Sequence, residues 1–124
     1  NVSIPLELQR IPNSLEKARE ALNLVGLSHR LAHCPAQLSG GECQRVAIAR
    51  AMVSEPSIIL ADEPSGNLDQ KTGEEIMGVI FRLCKDRQQT LILVTHNQDL
   101  AQKCDRTLIL SEGMLRQDVH KELK

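Results

Sequence analysis

Two short apolar runs, each followed by polar residues, limit the folds open to this chain more than any other feature. The runs are SIILADE at residues 57–63 and TLILVTH at residues 90–96. Their continuous, β-branched character predicts buried strands, the first of them covered on both faces. The segment between them, from about residue 70 to 86, has apolar residues at helical spacing: Ile76, Ile80 and Leu83. Strands that alternate with helices predict an α/β fold with a partly parallel sheet.

Helical patterns dominate the residues before the first of these strands. The segment NSLEKAREALNLVGL predicts a helix with a capping box at Asn13 and Glu16 and a stop at Gly26. A second helix is expected to begin after Ser39 and to end before Pro56, because the residue that precedes a proline avoids the helical conformation.

Further elements are predicted between residues 69 and 118. Asp69 is a suitable N-cap for the helix between the two strands. After the second strand, NQDLAQKC predicts a short helix, and RTLILSEGMLRQD predicts a hairpin that turns at Glu112–Gly113.

Composition argues against several classes of partner. With a net charge of -1 and Phe81 as the single aromatic residue, the chain has neither the basic surface nor the stacking residues typical of nucleic-acid binding, so we expect no such partner. Its apolar runs are far shorter than the roughly 20 residues that cross a bilayer, so we expect no direct membrane insertion. The four cysteines form no C-x-x-C pair, which favours reduced thiols over a zinc site or a disulfide framework.

The two glycines in QLSGGECQRVAIARA, residues 37–51, are unusual at the start of a helix, because each costs roughly 1 kcal/mol relative to alanine. Ser39 and Glu42 predict a capping box there. Without side chains at Gly40 and Gly41, an anion such as phosphate can approach the free N–H groups of the first turn. The alternative is a capped helix whose glycines lie at a tight packing contact, and local features do not separate the two.

Two acidic residues and a histidine follow the predicted strands. Pro64 predicts an extended backbone at Glu63. Asp62 is a candidate for a Mg²⁺ shell, Glu63 for orienting an attacking water, and His96 for donating to a terminal phosphate. Each residue taken alone is more simply a solvated strand end or a turn residue. Their combination in one alternating α/β chain favours the functional interpretation.

The segments LSGGECQRVAIARA, IILADEPSGNLD and LILVTH, in that order, resemble the signature motif, Walker B motif, D-loop and switch histidine of ATP-binding-cassette (ABC) ATPases. The run ADEPSGNLD is most similar to the bacterial subgroup of lipoprotein-releasing, macrolide-exporter and cell-division ATPases. This resemblance implies the C-terminal part of a P-loop NTPase domain of ABC type. Residues 1–56 would be its helical signature subdomain, and residues 57–124 part of its α/β core.

The resemblance also implies a site that binds ATP and Mg²⁺ between two protomers. Ser39, Gly40, Gly41 and Glu42 would bind the γ-phosphate of the partner's ATP, and Asp69 would lie at the dimer contact. Asp62 would support Mg²⁺ through water, Glu63 would be the catalytic base, and His96 would sense the γ-phosphate. The implied partners are a second ATPase protomer and transmembrane permease subunits. The implied location is the cytoplasmic face of the inner membrane.

One departure from the family pattern affects activity. The sequence contains no G-x-x-x-x-G-K-[ST] loop, which in the family holds the triphosphate, so we expect these residues alone to be inactive as an ATPase. An alternative is a regulatory or docking module that binds a transporter or an intact ATPase subunit without hydrolysis. An ABC-type DNA-repair or chromosome-maintenance ATPase is a further alternative, and the lack of coiled-coil heptads counts against it.

Overall fold

The computed structural model describes residues 1–120, with side chains as far as residue 116. Its helices and strands, in chain order, are α1 (Ile4–Leu8), α2 (Ser14–Leu24), α3 (Gly40–Met52), β1 (Ile58–Asp62), α4 (Gln70–Asp86), β2 (Thr90–Val94), α5 (Gln98–Ala101), β3 (Arg106–Ser111) and β4 (Met114–His120). Two short 3-10 turns, Ser28–Arg30 and Pro35–Gln37, lie between α2 and α3.

The predicted partly parallel sheet is confirmed. Strands β1 and β2 pair in parallel, with Ile58 opposite Thr90 and Asp62 opposite Val94, and α4 connects them. Both strands therefore end at the same edge of the sheet. Strands β3 and β4 form a separate antiparallel hairpin that turns at Glu112–Gly113, as predicted.

The core lies between the inner face of the β1–β2 pair and the helices. Ile76, Ile80 and Leu83 of α4 are buried, which confirms the predicted inner face of that helix. Helix α3 contacts both α2 and α4. Burying an aliphatic side chain contributes roughly 1.5–3 kcal/mol, so each of these three residues stabilises the packing of α4 in the core.

The outer face of the β1–β2 pair is exposed, so the prediction that the first strand is covered on both faces was wrong for the described residues. Leu60 is 75% exposed, and it lies opposite Ile92, which is 50% exposed. Ile58 and Val94 extend this apolar surface along the strands. A continuous apolar run predicts that both faces are hydrophobic, but what covers each face depends on the rest of the fold.

The two ends of α2 had different outcomes. Gly26 has a φ of +79°, a conformation that glycine adopts without steric cost, and the predicted stop is confirmed. The predicted capping box at the other end was wrong. Asn13 has a left-handed backbone with φ 59° and makes no side-chain cap hydrogen bond, because capping requires an extended backbone at the N-cap residue.

Within the described part of the chain, we find no helix with the length and apolar character needed to cross a membrane.

Candidate functional site

Glu63 and His96 lie in contact at the carboxyl edge of the parallel sheet. Because β1 and β2 are in register, the residues that follow them are brought to the same place although they are 33 positions apart in the chain. The Oε1 atom of Glu63 lies 2.6 Å from His96 Nδ1 and accepts the backbone N–H of His96 at 2.8 Å. Thr95 Oγ1 lies 3.4 Å from the other carboxylate oxygen, Oε2.

The charge of Glu63 follows from these contacts. The hydrogen bond with the His96 side chain, more than any other contact, lowers the pKa of the Glu63 carboxyl below its usual value, against a smaller opposing effect of burial. Glu63 is therefore ionised at neutral pH. The His96 side chain is 85% exposed, so this pair faces solvent and is accessible to a ligand.

The backbone at Glu63 is left-handed, with a φ of 42°, and the predicted extended conformation was wrong. The Glu63 N–H still donates to the carbonyl of Val94 at 2.9 Å, which continues the pairing of β1 with β2. Its carbonyl then accepts the N–H of Gly66 at 2.9 Å, which closes a turn. These two bonds require the chain to reverse at Glu63 itself, and they outweigh the bias from Pro64. Other non-glycine residues of the described chain outside this site also have a positive φ, so the left-handed backbone by itself does not mark Glu63 as functional.

Asp62 is the last residue of β1, and its side chain is exposed. No hydrogen bond or ion pair to this carboxylate is found within residues 1–116. Groups of three or more potential metal ligands are likewise absent from the described residues, including around His29, His33 and Cys34. Mg²⁺ usually takes one or two protein carboxylates together with waters and substrate phosphates, so a single unpartnered carboxylate fits that ion better than it fits zinc.

The start of α3 has the predicted capping box. Ser39 Oγ accepts the N–H of Glu42 at 3.2 Å, and Glu42 Oε2 accepts the N–H of Ser39 at 2.9 Å. In the described part of the chain, the N–H groups of Gly40 and Gly41 have no acceptor. Two free donors therefore point away from the first turn, where the helix dipole favours an anion.

Arg30 holds this cap from outside the helix. Its Nε donates to Glu42 Oε1 at 2.9 Å, so both carboxylate oxygens of Glu42 are engaged. The backbone N–H of Ser39, followed by the Arg30 side chain, lowers the pKa of the Glu42 carboxyl below its usual value. Sequence reasoning missed Arg30, because no local pattern connects it to a residue 12 positions further along the chain.

The two glycines have different surroundings. A Cβ added to Gly41 would lie 2.7 Å from Thr72 Cγ2, a separation that folded proteins do not tolerate without a shift. A Cβ added to Gly40 would lie 3.5 Å from Leu68 Cδ2, an ordinary contact. The tight packing contact that was one of two explanations for the glycine pair is therefore present at Gly41. Free amides at both positions keep the second explanation open.

The start of α4 lies beside the start of α3. Asp69 caps α4 as predicted, and its Oδ1 accepts the N–H of Thr72 at 3.1 Å. Hydrogen bonds from Thr72 lower the pKa of the Asp69 carboxyl below its usual value. Two capped helix N-termini thus meet where Gly41 packs against Thr72.

The predicted residues therefore form two groups. One is Glu63 with His96 at the sheet edge, and Asp62 immediately precedes it. The other is the α3 tip, defined as residues 39–42, beside Asp69. No hydrogen bond or ion pair links the two groups among the residues whose side chains are described, and the turn at residues 64–68 separates them.

Residues 5–66 match a family model described as ABC transporter. The chain belongs to this family. Lipoprotein-releasing system ATP-binding proteins (LolD) are among its relatives: that of Legionella pneumophila (strain Paris) is 50% identical over 117 residues, covering 93% of this chain and 52% of the relative. That of Psychrobacter arcticus is 49% identical over 116 residues, covering 91% and 51%. The chain thus spans about half the length of the curated relatives it matches.

Solved structures agree with this assignment. A dimeric bacterial ABC transporter cassette, MJ0796, is 38% identical with a TM-score of 0.78, and the match covers 96% of this chain and 54% of the cassette. The cbiO1 subunit from Clostridium perfringens, part of an ABC transporter complex, is 29% identical with a TM-score of 0.87, covering 97% and 49%. The fold is therefore part of an ABC-type P-loop NTPase cassette.

Proposed function

We propose that this chain forms part of an ABC ATPase subunit that binds and hydrolyses ATP at a dimer interface and powers the release of lipoproteins from a membrane. The observation that supports this most directly is the contact between Glu63 and His96 at the carboxyl edge of a parallel sheet. Ligands of open α/β sheets bind at this edge. The identity of about 50% to lipoprotein-releasing ATPases supports the choice of substrate.

Residues 1–56 are assigned to the helical signature subdomain and residues 57–124 to the C-terminal part of the ATPase core. In this assignment the free N–H groups of Gly40 and Gly41 donate to the γ-phosphate of an ATP held by the partner subunit, and the Ser39 hydroxyl adds a further donor. Asp69 lies beside this tip and is assigned to the dimer contact.

Glu42 is assigned an indirect role at the same tip. Its carboxylate is an anion, and both of its oxygens already accept hydrogen bonds, one from Arg30 and one from the N–H of Ser39. A direct contact with phosphate would bring two negative charges together. Glu42 therefore supports nucleotide binding by holding the first turn of α3 in the geometry that presents the glycine amides.

Glu63 and His96 are assigned to the chemical step, in which water attacks the γ-phosphate and ATP is converted to ADP and phosphate. The ionised Glu63 orients that water and takes its proton at Oε2, the carboxylate oxygen that His96 does not contact. Because His96 Nδ1 is hydrogen-bonded to Glu63, the hydrogen bond from His96 to the γ-phosphate is assigned to an Nε2–H group. Asp62 would hold Mg²⁺ through water, and the ion would neutralise phosphate charge.

The partners and the location are proposed from the same relationships. A solved relative is a dimeric ABC cassette, which supports a second ATPase protomer as partner. The lipoprotein-releasing relatives are named as ATP-binding proteins of a system, which supports association with transmembrane permease subunits. The subunit would then lie at the cytoplasmic face of the inner membrane.

The test is the substitution Glu63→Gln in a chimaera. The segment of the Legionella relative that this chain does not cover is joined ahead of residues 1–124, to provide the phosphate-binding loop that the family resemblance implies and that these residues lack. Glutamine keeps the shape of the side chain and cannot accept the proton. We expect steady-state ATP hydrolysis to fall by about 10²-fold or more, the usual contribution of a general base, while nucleotide binding persists.

The matched control is Glu16→Gln, an exposed acidic residue of α2 for which no partner is found in the described structure. It should hydrolyse ATP at the rate of the unsubstituted chimaera. Hydrolysis undiminished by Glu63→Gln, in protein with an unchanged melting temperature, would remove Glu63 from the mechanism.

A second measurement concerns residues 1–124 alone. Because they contain no phosphate-binding loop, we expect no Mg²⁺-dependent ATP turnover from the purified chain. Saturable hydrolysis that chelation of Mg²⁺ abolishes would contradict this expectation.

A further inference from the structure

Two exposed cysteines stand on either side of the α3 tip. Cys34 directly precedes the turn Pro35–Gln37, and Cys43 lies in the first turn of α3. Both thiols are free and exposed. Any covalent bond between them would enclose the whole tip, residues 39–42, in one ring.

The structure places both cysteines against the same short turn. Cys43 Sγ donates to the carbonyl oxygen of Pro35 at 3.8 Å, and Pro35 is the residue next to Cys34. The backbone of Cys34 is held at the start of the turn, because its N–H donates to Gln37 Oε1 at 2.8 Å. The Cys43 thiol therefore contacts the residue that follows Cys34 in the chain.

The other two cysteines differ in their surroundings. Cys84 is buried in the core, and its burial raises the pKa of its thiol. Cys104 is partly buried, and its Sγ lies 3.7 Å from the carbonyl oxygen of Leu100. Reaction with a small oxidant requires an accessible thiolate, so Cys34 and Cys43 are the pair that the fold presents to solvent.

We propose that Cys34 and Cys43 form a thiol–disulfide exchange site that reacts with a low-molecular-weight disulfide such as oxidised glutathione and ends as an intrachain disulfide. In the first step, one cysteine thiolate attacks oxidised glutathione, forming a mixed disulfide and releasing one reduced glutathione. In the second, the other cysteine attacks the mixed disulfide at the cysteine sulfur and releases a second glutathione. Two thiols are oxidised and one disulfide is reduced, so electrons and protons balance.

The second step is favoured because it occurs within one chain. A short connection gives the second thiol an effective concentration of millimolar order towards the first, so ring closure outcompetes a second glutathione at low reagent concentration. The ring restrains the segment that carries Ser39 and Glu42. If the proposed function is right, oxidation of this site alters how the tip meets phosphate.

The experiment uses the whole chain, incubated with oxidised glutathione at mildly alkaline pH, blocked with an alkylating reagent and digested with trypsin. Residues 31–45 contain no internal Lys or Arg, so one tryptic peptide carries both cysteines. We expect this peptide to lose the mass of two hydrogen atoms and to gain no alkyl group. Reduction before alkylation should restore both alkylation sites. Cys84 and Cys104 fall in other peptides and should stay alkylated.

Single substitutions separate the two steps. In Cys34→Ser or Cys43→Ser, the remaining thiol should stop at a mixed disulfide and gain one glutathionyl group. The unsubstituted chain should close the ring faster when folded than in denaturant. Two glutathionyl groups on the 31–45 peptide, an unreacted peptide, or equal rates in the folded and denatured chain would each overturn the proposal.

This outcome is independent of the ATPase assignment. In the chimaera described above, oxidised glutathione would change the rate of ATP hydrolysis if the disulfide affects nucleotide turnover. The substitution Cys34→Ser should then remove this sensitivity to glutathione. A disulfide that forms while Glu63→Gln leaves hydrolysis unchanged would preserve the exchange site and reject the proposed mechanism.

Discussion

Among individual residues, Glu63 departs from what its neighbours in the sequence would favour. It has a left-handed backbone before a proline, and its carboxylate contacts a histidine 33 positions away. Both features arise at the end of the paired strands. The register of β1 with β2 brings the His96 side chain to the strand end, and the reversal of the chain at Glu63 directs the carboxylate towards it. The contact with His96, rather than the backbone conformation alone, is what distinguishes Glu63 from the other non-glycine residues with positive φ.

The pKa of Glu63 tests this contact. Because the hydrogen bond with His96 is the largest cause of the lowered pKa, we expect His96→Ala to raise the pKa of Glu63 towards the usual glutamate value of about 4.3. Titration of the Glu63 side-chain carboxyl carbon by NMR measures this shift. The control His33→Ala changes a histidine outside this contact and should leave the pKa of Glu63 unchanged. An unchanged pKa of Glu63 in His96→Ala would show that the hydrogen bond with His96 is not the cause of the lowered value.

The direction of the pH dependence follows. A group whose pKa is lower in the folded chain than in the unfolded chain stabilises the fold above its unfolded pKa. The stabilising contribution of Glu63 is therefore complete at neutral pH and is lost as the pH falls through its folded pKa. In His96→Ala, the free energy of unfolding should therefore decrease less between neutral and acidic pH than in the unsubstituted chain.

Between elements, the contact of α3 with α4 decides the geometry of the tip. The two helices begin side by side, each with a side-chain cap, and Gly41 allows Thr72 to approach the α3 backbone. The absence of a side chain at Gly41 therefore allows close packing against Thr72, and the Gly41 N–H has no acceptor in the described structure. Arg30 adds a third support through Glu42.

Alanine at each glycine tests this contact. Both substitutions gain helix propensity, roughly 1 kcal/mol in a helix interior and less at its first turn. Because this gain is similar at the two positions, the difference between the two variants in free energy of unfolding reports the cost of packing at Gly41. We expect Gly41→Ala to be less stable than Gly40→Ala by about 1–3 kcal/mol, the usual cost of overpacking. Denaturant unfolding followed by circular dichroism measures both.

A double-mutant cycle gives the control. Thr72→Ser removes the Cγ2 atom that the new methyl group would meet and retains the backbone N–H that Asp69 accepts. The penalty of Gly41→Ala should shrink in that background, and the effect of Gly40→Ala should not change. An undiminished penalty would show that contact with Thr72 is not its cause.

In the molecule as a whole, the outer face of the β1–β2 pair is an apolar surface that no part of the described chain covers. Ile58, Leu60, Ile92 and Val94 form an apolar surface on strands that would be buried in a complete doubly covered sheet. Such a surface is typical of a part of a larger fold or of a binding face. The proposed membership of a longer ABC subunit accounts for it.

The double substitution Leu60→Thr with Ile92→Thr tests this surface. Both residues are at least half exposed, so we expect binding of a hydrophobic dye and self-association to fall, with little change in the free energy of unfolding. Dye fluorescence, light scattering and denaturant unfolding measure the three effects. The control Ile59→Thr changes a buried residue of the same strand and should destabilise the chain.

Much of the site followed from local sequence patterns. The caps at Ser39 and Asp69 were predicted because a cap joins residues three positions apart, a spacing that is visible in the sequence. Glu63 and His96 were singled out because each follows an apolar run. The contact between them, the bond from Arg30 to Glu42 and the neighbour of Gly41 were not predicted, since each joins distant parts of the chain.

The strands and the helices other than α1, with most of their ends, follow from local patterns, because hydrophobic period, caps and turn residues act within a few positions. Helix α1 (Ile4–Leu8) was not predicted, because the first 12 residues have an irregular pattern interrupted by prolines. The register that joins Glu63 to His96, the reversal of the chain at Glu63 and the exposed face of the sheet could be known only from the folded chain. These depend on pairing and packing between segments far apart in the chain, where a local preference, such as that of the residue before Pro64, yields to the hydrogen bonds of the assembled sheet.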